Sequence, residues 1–134
     1  MINKIEVHTD GGARGNPGPA AVGVVIRAGD VLFEIKKTIG EATNNVAEYS
    51  ALIEAIQALR DNEFDGPVSF FLDSELVVKQ LNGQYKVKDE SLKKLWHVVR
   101  QFVLERAQVV SFTHVAREKN KRADELVNEA LDGI

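Results

Sequence analysis

Apolar and polar positions alternate along residues 4–10, KIEVHTD, which is the period of a strand with one buried face. The stretch AAVGVVIRAGDVLFEIKKTIG (20–40) places two apolar runs around AGD, a hairpin signal, so three antiparallel strands are expected first. From about Asn45 to Arg60 the period changes: Val46, Tyr49, Leu52, Ile53, Ile56 and Leu59 recur every three or four residues and make one helical face. GPVSFFLD (66–73) reads as a short buried strand after a Gly-Pro break, and SELVVKQLNG (74–83) as a short helix ended by Gly83. Between about Glu90 and Arg106, Leu92, Leu95, Trp96, Val99, Phe102 and Val103 form a second helical face. AQVVSFTHV (107–115) reads as a fifth strand. KRADELVNEAL (121–131) reads as a last helix with Ala123, Leu126, Val127, Ala130 and Leu131 turned inward. The order βββαβααβα predicts an α/β domain, a mixed sheet with helices packed on it.

Composition narrows the class. A chain of 134 residues with 44% hydrophobic and 28% charged side chains is expected to be a single globular domain, spanning 1–134. No apolar run is long enough to cross a membrane, and the N-terminus lacks the apolar core of a signal peptide. Cysteine is absent, which excludes disulfides and thiolate metal sites and suits a reducing, cytoplasmic setting. A net charge of −3 gives no global attraction for nucleic acid, so such a partner would need a local basic patch.

The candidate chemistry lies in four acids at element boundaries: Asp10, Glu48, Asp73 and Asp124. Each has an ordinary explanation. Asp10 before Gly11-Gly12 can begin a turn, and Asn45 with Glu48 can form a capping box. Asp73 can cap the helix after it, and Asp124 suits the first turn of the last helix. Together they suggest more. If the first and fourth strands are parallel neighbours, Asp10 and Asp73 emerge at one edge of the sheet, where α/β sites form. Glu48 and Asp124 flank the apolar faces of helices that must pack on that sheet. Converging carboxylates repel unless a cation lies between them, and an all-oxygen donor set favours a hard divalent ion such as magnesium.

The blocks TDGGARGNPGPAAVGVVI (9–26), TNNVAEYSALIEAI (43–56), DSELVVKQL (73–81) and HVAREKNKRADELVNEAL (114–131) resemble the four signature blocks of type 1 ribonuclease H, in the same order and each with its acid. The resemblance runs from about Lys4 to Leu131. It implies the ribonuclease H fold, a five-stranded mixed sheet flanked by helices. It also implies an endonuclease that hydrolyses the RNA strand of RNA–DNA hybrids, leaving 5′-phosphate and 3′-hydroxyl ends. Asp10, Glu48, Asp73 and Asp124 match the family's metal-binding acids. They imply hydrolysis assisted by two magnesium ions about 3.5–4 Å apart, with manganese as the alternative. Asp10, held on a strand, would bridge the ions. His114 matches the family's proton-transferring histidine, whose ordinary alternative is a residue that merely ends a strand. Gly11, Gly12, Asn16, Asn44 and Asn45 match positions that lie in the minor groove of the hybrid, where glycine leaves room for a ribose and asparagine can pair with a 2′-hydroxyl. Thr43 and Asn16 also match a phosphate contact to the DNA strand. A monomer is expected, with the hybrid as partner and neither a membrane nor a protein partner.

Three departures from the commoner bacterial form stand out. LNGQYKVKDESLKKLWHVV (81–99) leads almost directly into one helix, without the extra helix and lysine-rich protrusion, which places the chain nearer the protrusion-less, archaeal-like branch. Lys86, Lys88, Lys93 and Lys94 are either a remnant of that charge or a solvated helix face. Glu75 stands where a glutamine is usual, and VAREKNKR (115–122) lacks the usual flexible glycine, leaving Arg117 to share the work of His114 or to bind phosphate. Arg14, Arg117, Lys119, Lys121 and Arg122 are the remaining cations expected to hold phosphates. A silent hybrid-binding module, or a DNA-cutting enzyme built on the same acids, are the competing readings.

Overall fold

The computed structural model describes residues 4–134. Its elements are strands β1 (Ile5–Ala13), β2 (Gly18–Ala28) and β3 (Val31–Ala42), helix α1 (Asn44–Asp61), strand β4 (Val68–Leu72), helices α2 (Glu75–Leu81) and α3 (Glu90–Glu105), strand β5 (Val110–His114) and helix α4 (Lys121–Asp132). A single 3-10 turn covers Arg117–Lys119. The order is the one the hydrophobic pattern predicts. Among the described residues no helix is long and apolar enough to cross a membrane.

The five strands form one mixed sheet in the order β3-β2-β1-β4-β5. β1 pairs antiparallel with β2 and parallel with β4, and β4 pairs parallel with β5. The register Thr9↔Leu72 brings Asp10 and Asp73 to the same edge, as the sequence leads one to expect for parallel neighbours. The parallel β1–β4 crossover is made through the β2–β3 hairpin and α1, and the β4–β5 crossover through α2 and α3.

Layering explains the residue patterns. β2 is apolar almost without interruption because helices cover both its faces. The core beneath α1 is built from Ile5, Val7, Val24, Ile26, Leu52, Ile56 and Phe70. β3 is the edge strand and carries Glu34, Lys36, Lys37 and Glu41, charges that discourage further strand pairing.

Two glycines set how closely the helices approach. A Cβ on Gly11 would lie 2.1 Å from the carbonyl oxygen of Ala47 in α1. A Cβ on Gly23 would lie 2.3 Å from the carbonyl oxygen of Ala123 in α4. Gly12, the next residue along β1, faces Val127 of α4, so α1 and α4 sit on opposite faces of the sheet. This closes one alternative and corrects one expectation. Asp10 does not begin a turn, because β1 runs on through Gly11 and Gly12 to Ala13 in register with β2. The space left by the absent Gly11 side chain is filled by α1 backbone rather than kept open for a ribose.

Candidate active site

Asp10 is the sixth residue of β1, Glu48 lies in the second turn of α1, and Asp73 follows the last residue of β4. The caps decide where these side chains point. Thr43, not Asn45, caps α1, its Oγ1 accepting from the Val46 N–H at 3.2 Å. Ser74, not Asp73, caps α2, accepting from the Val77 N–H at 3.3 Å. The capping roles open to Glu48 and Asp73 in the sequence are therefore taken by neighbours, and both carboxylates are free to meet Asp10.

One carboxylate oxygen from each of Asp10, Glu48 and Asp73 lies within 4.8 Å of the others. Asp10 is 5% exposed and Glu48 8%. Burial, followed by the charge of Asp73, pushes the Asp10 carboxyl up to about 7. Burial, then the charges of Asp10 and Asp73, raise Glu48 well above the usual carboxylate range. Asp73 is raised by burial too, against the opposing pull of Arg117. That arginine is 81% exposed, with Nε 3.9 Å from Asp73 Oδ2, so water screens most of its effect. Asp124 occupies the first turn of α4 and lines the same cavity from the opposite face of the sheet.

The cavity measures about 490 Å³. Of the residues expected to handle substrate, Gly11, Gly12, Asn44, Asn45 and Arg117 line it. Asn16 and Thr43 stand behind the wall. Asn16 Oδ1 accepts from the Asn44 N–H at 2.9 Å, and Asn44 Oδ1 accepts from the Ala13 N–H at 3.0 Å, so the β1–β2 loop and the start of α1 are locked together. His114 ends β5 beside Leu72 at the same sheet edge, exposed and outside the cavity lining. Ser74, Val127, Asn128 and Leu131 also line the cavity; the sequence marks Val127 and Leu131 only as inward-turned core positions and does not mark the other two. The last three lie three, four and seven residues after Asp124, a helical spacing that could have revealed them.

The expected phosphate-binding cations divide in the structure. Arg122 is paired with Glu34 at 2.8 Å and Glu129 at 2.9 Å, outside the cavity lining. Arg14 lines the cavity while paired with Asp132 at 2.7 Å. Lys119 and Lys121 border a separate small cavity with His8 and Arg27. Lys86 and Lys93 border a groove with Tyr85 and Trp96.

An all-oxygen donor set fits a hard divalent cation. Glu48 Oε2 is buried with no hydrogen-bond partner, as a ligand atom awaiting a cation would be. The arrangement can therefore hold a metal at the end of the sheet, next to a cavity lined largely by polar groups.

This fold and acid cluster define a class, and comparison with known proteins agrees. A family model described as reverse transcriptase-like matches residues 8–130. Ribonuclease HI of Halobacterium salinarum is 47% identical over 96% of this chain, which spans 65% of that protein's length. The crystal structure of RNase H1 from this archaeon superposes with a TM-score of 0.90, at 45% identity, covering 98% of this chain and 99% of that one. Ribonuclease H of Hydrogenovibrio crunogenus is 31% identical over 99% of both chains. LC11-RNase H1, solved in complex with an RNA/DNA hybrid, matches with a TM-score of 0.89 and 51% identity over 96% of this chain and 97% of its own. The chain belongs to the type 1 ribonuclease H family.

Proposed function

We propose that this protein is a metal-dependent endonuclease that hydrolyses the RNA strand of RNA–DNA hybrids, leaving 5′-phosphate and 3′-hydroxyl ends. The observation that carries the reading is the meeting of Asp10, Glu48 and Asp73 within 4.8 Å, the first two buried and the third partly so. A single domain, acting as a monomer in the cytoplasm, is enough for the reading.

Asp10, Glu48, Asp73 and Asp124 would hold divalent ions, Asp10 the most rigidly placed of them because a paired strand fixes it. Bound magnesium, two ions in the full reading, supplies an activated water and charge relief for the leaving 3′-oxygen. The protein's own residues bind and orient. Asn44 and Asn45 face the cavity at the start of α1, positioned to read ribose hydroxyls, with Asn16 and Thr43 fixing their backbone. The Gly11 and Gly12 backbone forms the floor beside Asp10. Arg117, at the mouth, attracts the phosphate that approaches Asp73. His114, one strand away at the rim, is placed to exchange protons with solvent once a product has formed.

The test uses labelled RNA–DNA hybrid, duplex DNA, duplex RNA and single strands, each incubated with magnesium. Cleavage confined to the RNA of the hybrid is the expected result. Cleavage of duplex DNA alone would overturn the substrate assignment, and hybrid binding without cleavage would mark a silent module.

A further inference from the structure

Asn120 makes a joint that the acids need and that none of them makes. It is 1% exposed, and its Nδ2 donates to the carbonyl oxygen of Thr9, the residue before Asp10, at 2.8 Å. Its own carbonyl accepts from the Asp124 N–H at 3.2 Å. One residue thus grips the backbone beside Asp10 and the backbone of Asp124, across a sequence separation of 111.

Two observations indicate that this side chain does not serve the helix. Asn120 occupies the N-cap of α4 yet makes no capping bond, whereas Thr43, Ser74 and Asp89 each cap their own helices with a side-chain oxygen. Asn is among the best capping residues, so the bond to Thr9 is made in place of a favourable alternative. Its Oδ1 is also left buried without a partner, a state that costs free energy inside a protein. A group that gives up a cap and strands an acceptor is held there by something other than helix stability.

We propose that Asn120 is a positioning residue for the acid cluster: its amide clamps β1 to the start of α4 and so fixes Asp124 relative to Asp10. Gly23 sets the depth at which α4 sits on the sheet, and Asn120 sets its place along β1. The inference rests on the reading of these acids as metal ligands, and its test separates the two.

Mn²⁺ binding to the metal-free protein is followed by electron paramagnetic resonance, beside thermal melts and hybrid affinity in EDTA. Asn120→Ala is expected to weaken ion binding about tenfold or more, the scale set by groups that orient metal ligands, with hybrid affinity in EDTA unchanged. Asn120→Ser restores a good capping residue while losing the reach to Thr9. It is expected to melt above Asn120→Ala and still bind Mn²⁺ as weakly. Combining Asn120→Ala with Asp124→Asn is expected to add little beyond Asp124→Asn alone. Ion affinity within twofold of wild type in Asn120→Ser, or a fully additive double variant, would overturn the positioning role. Wild-type Mn²⁺ binding that Asp10→Asn leaves intact would instead overturn the metal reading on which it stands.

Discussion

Two charged regions of the molecule are both built around carboxylates and behave in opposite ways. Along β3 and α4, Glu34 and Glu129 are met by Arg122 and Lys36 at 2.8–3.1 Å, and these hydrogen bonds and charges pull both carboxyls below their usual range. Near the ends of β1 and β4 the buried Asp10 and Glu48 face the partly exposed Asp73, and all three are pushed upward. The first region neutralises itself and asks for nothing from solution. The second is incomplete as protein alone, and incompleteness of charge is what marks it as a site.

The difference can be tested by breaking each region in turn. Asp73→Asn should lower hybrid cleavage by more than about a hundredfold, since even groups that only orient metal ligands are worth 10–100-fold. Hybrid affinity in EDTA should hold, and cleavage near the wild-type rate would refute the assignment of Asp73. Gly11→Ala comes next, because its Cβ would fall on α1 backbone that no rotamer change can move. A loss of about 3 kcal/mol is expected, read from the urea midpoint. It should be accompanied by weaker ion binding as Glu48 is pushed away.

A pH series compares the regions directly. The clustered acids keep their protons in the folded chain after the unfolded chain has lost them. Their contribution to metal-free stability is complete below the unfolded carboxylate range, near 4, and is lost as pH rises through about 7. The paired acids have depressed values, so their contribution is present above the unfolded range and vanishes only in acid. Between pH 5.5 and 8 the metal-free Tm should therefore fall, and magnesium should restore most of it. A Tm that rises over this interval would contradict the pushed-up carboxyls. The smallest effect should come from Arg122→Ala, which removes only exposed ion pairs: a Tm loss of a few degrees at most, abolished in high salt, with cleavage unchanged.

Strong periodicity made the elements readable from sequence, whereas parallel pairing of β1 with β4 stood there only as a condition and is supplied by the register of the strands. The acids were legible as a set because each reads in the sequence as standing near an element boundary, although β1 in fact runs on past Asp10 to Ala13 and Glu48 lies a full turn inside α1. Their freedom to meet was not legible, because it depends on which neighbour takes the cap: Thr43 rather than Asn45, Ser74 rather than Asp73. The pairing of Arg122 with Glu34 and Glu129 was not legible, because these partners lie 88 and seven residues away and nothing local announces it. Gly11 looked like empty space because one sequence cannot say which helix will fill it.

Gly11 and Gly23 carry no ligand atom, yet they set how near α1 and α4 stand to the sheet, and so how near Glu48 and Asp124 come to Asp10. In evolutionary terms they belong to the catalytic apparatus. Selection would hold both positions at glycine as firmly as it holds the acids, because a substitution there would disturb the packing of the fold and the spacing of the acids at once.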